Sequence, residues 1–142
     1  MENFTVACAE SCTGGLLTSR LTDFAGASAY VKGGITAYTN EIKNKVLHVE
    51  EETLEKFGAV SSQTALEMAK NVREIFSATF GLGTTGVAGP LASEGKPVGL
   101  VYVAIAGEDF SEVKEFNFKG TRSEIKALTA DAGFELLLRH VT

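Results

Sequence analysis

The sequence predicts an α/β fold, a three-layer α/β/α sandwich on a mixed sheet of about five strands. Three observations predict it. The hydrophobic period switches repeatedly between two and about 3.6, as it does when strands alternate with helices. Some five strand-like runs and at least three long helical stretches can be read along the chain. The last two strand-like runs are joined by the short turn Gly107-Glu108-Asp109, so they pair antiparallel and make the sheet mixed. The 142 residues suit one domain, 1–142, and no linker, internal repeat or low-complexity stretch divides them.

Residues 4–9 read as a buried strand, and Ser11-Cys12-Thr13-Gly14-Gly15 as the turn after it. Leu16, Leu17, Leu21 and Phe24 recur at helical spacing, which predicts a helix over 13–24 that Gly26 stops. Residues 30–38 read as a strand with a Gly33-Gly34 pair that marks a bulge or a close backbone approach. Asn40 is a good N-cap for a short helix through Lys45 to Leu47. Residues 49–57 form another short helix, whose acidic start Glu50-Glu51-Glu52 complements the helix dipole and which Gly58 ends. Ser61 or Ser62 caps a helix over 63–77 with the apolar stripe Ala65, Met68, Ala69, Val72 and Phe76. Residues 79–85 are a strand and 86–96 a loop, broken by Gly89-Pro90 and Gly95. Strands over 98–106 and 112–118 form the hairpin, and Thr121-Arg122-Ser123-Glu124 is a capping box for a last helix through about Leu138.

The chain is 44% hydrophobic and 22% charged, close to the soluble globular average, which excludes a disordered chain, a collagen and a coiled coil. Thirteen basic against eighteen acidic residues give a net charge of −5, and no run of Lys and Arg stands out. A nucleic-acid partner gripped through its phosphates is therefore not expected. The longest uncharged, mainly apolar run, 98–107, is about half of a bilayer span, so no membrane partner is expected. Met1-Glu2-Asn3-Phe4 lacks the basic-then-apolar order of a signal peptide. Cys8 and Cys12 read as reduced thiols, and with only His48 and His140 beside them they do not make a zinc site. The expected compartment is cytoplasmic.

Two motifs fail on context. Gly81-Leu82-Gly83-Thr84-Thr85-Gly86 is a literal G-x-G-x-x-G, but Gly89, Pro90, Gly95 and Pro97 follow where a dinucleotide site needs a helix. The glycines read instead as places of close backbone approach. Ser123-Glu124-Ile125-Lys126 matches S-x-x-K without the partner motifs of serine–lysine acyl transferases.

The stretch Ala9-Glu10-Ser11-Cys12-Thr13-Gly14-Gly15 carries more, because a buried strand there runs into a helix through small polar residues. In doubly wound sheets ligands bind at the carboxyl ends of strands. A hydroxyl at this point can attack a carbonyl while nearby N–H groups hold the oxyanion. The plainer alternative, that Ser11 or Thr13 is only a helix cap, stays open. If Ser11 is a nucleophile it needs a base. His48 lies between helices and His140 near the C-terminal end, which leaves carboxylates and lysines. Lys43 sits three residues past the Asn40 cap, near the positive end of a helix, where its charged form is disfavoured; burial would lower its pKa further.

Six ordered blocks then carry a resemblance. They are Ala9 to Gly15 as quoted, Tyr38-Thr39-Asn40-Glu41-Ile42-Lys43, Gly58-Ala59-Val60-Ser61, Gly86-Val87-Ala88-Gly89-Pro90, Lys96-Pro97-Val98-Gly99 and Phe118-Lys119-Gly120-Thr121-Arg122. Together they resemble the C-terminal domain of the competence/damage-inducible protein CinA, a family that includes stand-alone nicotinamide mononucleotide deamidases. The resemblance implies a three-layer α/β fold and an amidohydrolase that converts nicotinamide mononucleotide and water to nicotinic acid mononucleotide and ammonia. It implies no metal and no organic cofactor. Ser11 matches the family's nucleophile, Lys43 its activating base, and Tyr38 the residue beside it that relays or orients the proton. Glu10, Thr13, Thr85 and Arg122 match substrate-contacting and supporting positions, with Gly14, Gly15 and Gly86 of the same motifs. Arg122 is the expected partner of a substrate phosphate or carboxylate, and the N–H groups over 13–15 are the expected oxyanion donors.

The sequence departs from the family pattern in two places. Leu91-Ala92-Ser93-Glu94-Gly95 replaces the usual acidic-Gly-Gly-Ser turn at a different length. This motivates an alternative function, a nucleotide-binding module without catalysis. The chain also starts almost at its first strand, where family members commonly carry a helix, so a homodimer or higher homo-oligomer is expected to cover the open face. Cys12 is a further alternative nucleophile.

Overall fold

Val6, Ala7, Cys8 and Ala9 form an uncharged run that ends on Glu10. In the computed structural model, which describes residues 3–142, that run is β1 (Val6–Glu10), buried along its whole length. After it come α1 (Leu16–Leu21), a 3₁₀ turn (Ala27–Ala29) and β2 (Val31–Thr36). Then follow α2 (Asn40–Lys45), α3 (Glu51–Phe57), α4 (Ser62–Phe76) and β3 (Phe80–Gly86). β4 (Leu100–Ala106), β5 (Ser111–Asn117) and α5 (Arg122–Val141) complete the fold.

The five strands make one sheet in the order β2-β1-β3-β4-β5. β1 pairs parallel with β2 and β3, and β3-β4 and β4-β5 are antiparallel, so the sheet is mixed as expected. Period-two alternation sends the two faces of each strand to different helices. Val6 and Cys8 of β1, with Phe80, Leu82, Val103 and Ile105, pack on Leu17 and Leu21 of α1 and Ala130, Leu136 and Leu137 of α5. Ala7 and Ala9 pack on Met68 and Val72 of α4 together with Leu47 and Val49. These are the three layers.

The α4 face is lined with small residues on both sides. Ala65 and Ala69 of α4 meet Ala104 and Ala106 of β4. A Cβ at Gly81 would stand 2.0 Å from the Ala69 carbonyl, and one at Gly83 would stand 2.6 Å from the Ala65 carbonyl. The G-x-G-x-x-G run is therefore a strand whose glycines let a helix lie close, and no helix follows it directly.

Several boundaries move, each for a local reason. The helix expected from Thr13 starts at Leu16 with Gly15 at its N-cap, because Gly14 (φ 60°) and Gly15 (φ 101°) adopt left-handed backbone and keep 13–15 a turn. It ends at Leu21, short of Phe24. The cap of α2 is Thr39, whose hydroxyl accepts from the Ile42 N–H at 3.3 Å, and Asn40 becomes the first helical residue. Ser61 rather than Ser62 caps α4, accepting from the Thr64 N–H at 3.1 Å. Gly86 belongs to β3 and not to the loop. β4 begins at Leu100, not at 98, because Gly99 (φ 93°) turns the chain against the Phe118 carbonyl. The Thr121–Glu124 capping box forms as expected and starts the longest helix.

Candidate active site

β1 ends where its neighbours diverge. The chain leaves β1 through α1 to reach β2 on one side, and returns through α2, α3 and α4 to β3 on the other. The carboxyl ends of β1 and β3 thus flank a topological switch point, the place where such sheets bind ligands. A cleft of about 340 Å³ opens there. Ser11, Cys12, Tyr38, Lys43, Thr85, Gly86 and Arg122 all line it.

Ser11 stands one residue beyond β1, held by its N–H donating to the Thr84 carbonyl at 3.0 Å. Lys43 comes in from α2. Its Nζ donates to Ser11 Oγ at 2.8 Å and to the Tyr38 backbone carbonyl at 3.1 Å. The lysine is only 1% exposed. Burial pushes its amine down from 10.5 to about 8, with Cys12 and Glu94 working in the opposite direction. Burial, more than the dipole of a six-residue helix, is what disfavours its charge. The pair has the geometry of a nucleophile with its base.

Glu10 and Thr13 lie behind this pair, not on the cleft wall. Glu10 shares the β1 face of Val6 and Cys8, so its carboxylate points under α1. Glu10 Oε1 accepts from the Thr13 hydroxyl at 2.5 Å and the Leu17 N–H at 2.9 Å. Its Oε2 accepts from the Thr18 N–H at 2.8 Å and the Thr18 hydroxyl at 2.5 Å. A carboxylate at a helix N-terminus satisfies donors the helix cannot, and here it fixes the turn that carries Ser11. Thr13 in turn shares a 2.7 Å hydrogen bond with Thr84, its neighbour through the Glu10–Thr84 register of β1 and β3. Both residues hold the turn that carries Ser11, the supporting one of the two roles expected at their positions.

Gly14 and Gly15 also lie off the cleft wall. Of the amides expected over 13–15 as oxyanion donors, that of Gly14 already donates to the Ser11 carbonyl at 3.0 Å, and farther along the Leu17 and Thr18 N–H groups go to Glu10. Tyr38 supports Lys43 with its carbonyl. Its phenol, 59% exposed with its residue, accepts from Arg122 Nη2 at 2.8 Å and does not reach the amine. Arg122 Nη1 donates to the Gly89 carbonyl, so the guanidinium bridges two walls at the cleft rim. Thr85 donates its hydroxyl to the Ala59 carbonyl at 2.8 Å. Cys12 is buried, and burial pushes its thiol up to about 12, which keeps the reactive thiolate scarce at neutral pH.

Sequence reasoning missed Glu94 and Thr84. Thr84 was in reach of period-two alternation, which puts it on the Glu10 side of the sheet. Glu94 has no local signal, because its partners Ala59 and Val60 lie about 35 residues earlier. Partial burial works against its charge, but two amide hydrogen bonds and Lys96 outweigh this and hold its carboxyl below the usual range. Among the described residues, no group of three or more His, Cys, Asp or Glu is placed to hold a metal ion, and no helix is long and apolar enough to cross a membrane.

Comparison with known proteins agrees with this architecture. A protein named putative competence-damage inducible protein from Acetivibrio thermocellus is 51% identical over 141 residues, 99% of this chain and 34% of that protein. One of the same name from Desulforamulus reducens is 49% identical over 132 residues, 93% of this chain and 32% of that protein. The chain therefore spans about a third of the length of the curated relatives it matches. The crystal structure of competence/damage inducible protein CihA from Agrobacterium tumefaciens superposes with a TM-score of 0.93 at 42% identity, over 96% of this chain and 85% of that one. A CinA superfamily protein from Escherichia coli superposes with a TM-score of 0.95 at 30% identity, over 99% of this chain and 82% of that one. The family model described as CinA C-terminal domain matches residues 1–141, and the chain belongs to that family.

Proposed function

We propose that the chain is an amidohydrolase that cleaves the carboxamide of nicotinamide mononucleotide, with Ser11 as nucleophile and Lys43 as general base. The 2.8 Å contact between the buried Lys43 amine and Ser11 Oγ carries this reading. Neutral Lys43 takes the Ser11 proton as Oγ bonds to the amide carbon. The amide of Cys12, the residue after the nucleophile, gives the oxyanion a hydrogen bond. Collapse of the tetrahedral intermediate breaks the C–N bond, and Lys43 returns the proton to the leaving nitrogen, which departs as ammonia. Water, deprotonated by Lys43, then attacks the acyl-serine; the C–Oγ bond breaks, Lys43 returns that proton to Ser11 Oγ, and nicotinic acid mononucleotide is released. Arg122 at the rim offers N–H donors to the substrate phosphate.

The test is ammonia release on mixing with nicotinamide mononucleotide. Ser11→Ala is expected to lose about 10³-fold in kcat or more. Lys43→Met is expected to lose about 10²-fold or more, as for a lost general base. Wild-type turnover by Ser11→Ala would end the covalent scheme. Binding without ammonia release by the unaltered chain would favour the alternative, a nucleotide-binding module that has lost catalysis.

A further inference from the structure

Residues 91–95, where the sequence departs from the family pattern, include half of a side-chain clasp on the cleft wall. Glu94 reaches back to the turn before α4. Its Oε2 accepts from the Ala59 N–H at 2.9 Å and its Oε1 from the Val60 N–H at 3.1 Å. Lys96 closes the other half, donating to the Phe57 carbonyl at 2.8 Å, to the Val60 carbonyl at 2.5 Å and to Glu94 Oε1 at 3.3 Å. Gly58 leaves the room for both: a Cβ there would stand 2.7 Å from Glu94 Oε1 and 2.9 Å from Lys96 Nζ. From the far side, the Ser61 and Thr64 hydroxyls donate to the Gly58 carbonyl at 2.9 and 2.7 Å. The gripped residues, Ala59 and Val60, line the cleft that holds Ser11, as does Glu94 itself. The Ala59 carbonyl is also the acceptor that fixes the Thr85 hydroxyl.

We propose that Glu94 is a positioning residue for substrate binding: it locks the Ala59–Val60 wall, and through the Ala59 carbonyl the Thr85 hydroxyl, into the shape that receives the substrate. For the identity of that substrate the inference rests on the amidohydrolase reading above. The wall and the reacting pair are held by different means. Ser11 and Lys43 are fixed by β1, the Tyr38 carbonyl and each other, and Glu94 makes no hydrogen bond to them, acting on the Lys43 amine only through its charge. Loss of the clasp therefore loosens binding more than chemistry. An unmade bond to two backbone amides also leaves those donors open to solvent.

The experiment compares the unaltered chain with Glu94→Ala and Glu94→Gln, the second keeping the side-chain volume and one acceptor. Three quantities are read: KM and kcat for nicotinamide mononucleotide, the concentration and rate dependence of Ser11 labelling by a fluorophosphonate, and amide hydrogen exchange at Ala59 and Val60. In Glu94→Ala, exchange at both amides is expected to rise about tenfold or more. Read well above pH 8, where Lys43 is neutral with or without the Glu94 charge, KM and the half-saturating phosphonate concentration are expected to rise about tenfold, while kcat and the maximal labelling rate stay within about threefold. Glu94→Gln should fall between. Unchanged exchange, or raised exchange with unchanged half-saturation, overturns the proposal; so does a fall in kcat at constant KM. If the unaltered chain labels at Ser11 but releases no ammonia, the substrate reading fails and the clasp is judged on the labelling alone. If it does neither, both fall.

Discussion

Lys43 is a residue type that seldom gives up water, yet it is buried beside Ser11 with its amine pushed down to about 8. Two consequences follow at the scale of this one side chain. Only the neutral amine can take a proton, so kcat is expected to climb as pH rises through about 8 and to level off above it, and a pH–rate profile checks this. A profile that falls through that range would contradict the assigned base. The second consequence is for stability. The folded value lies below the 10.5 of an exposed lysine, so the unfolded chain binds more protons, and the contribution of Lys43 to stability rises with pH between about 8 and 10.5. Below that window the group costs the fold about 3 kcal/mol relative to a neutral amine. Lys43→Met should therefore cut kcat by about 10²-fold or more while raising the unfolding free energy near pH 7 by about 1–3 kcal/mol, read from urea titrations. The same substitution that impairs function is expected to stabilise the molecule.

At the scale of elements, the site depends on how closely α4 lies on the sheet. Gly81 and Gly83 present bare backbone to Ala69 and Ala65, and no side chain intervenes. Gly81→Ala would force a methyl toward a backbone carbonyl that cannot rotate away. It is expected to destabilise by about 3 kcal/mol, seen as a lower denaturant midpoint. Because α4 begins at the turn that Glu94 clasps, that shift should also disturb the Ala59 wall. On the opposite face, α1 is too short to be stable by itself. It is held by the Glu10 carboxylate at its start and by Leu17 and Leu21 in the core. The turn that carries Ser11 inherits its position from that anchoring.

The whole molecule joins segments far apart in sequence. Ser11, Lys43, Thr85 and Arg122 come from four separate stretches and meet at one end of the sheet. Both helix layers close on the same five strands, so the chain is expected to unfold in one cooperative transition. Far-ultraviolet dichroism and tyrosine fluorescence should give coincident melting curves, and separate midpoints would show that the layers unfold independently. The α/β class, the hairpin of β4 and β5, the capping box at Thr121 and Ser11 with Lys43 as a candidate pair were legible in the sequence, because each rests on local periodicity, capping chemistry or a motif. The starts of α1 and β4 were less so, since left-handed glycines at 14, 15 and 99 override the hydrophobic pattern around them. The sequence by itself determined that Ser11 and Lys43 have the chemistry of a nucleophile and its base and that strands alternate with helices, since both follow from side-chain type and local periodicity. Only the tertiary structure decided that Glu10 and Thr13 stand behind the cleft, that Tyr38 serves Lys43 by its carbonyl, and that Glu94 grips a wall laid down some 35 residues earlier. Those assignments depend on which buried donors and acceptors are brought within hydrogen-bond reach, and that is settled by packing between segments and not within any one of them.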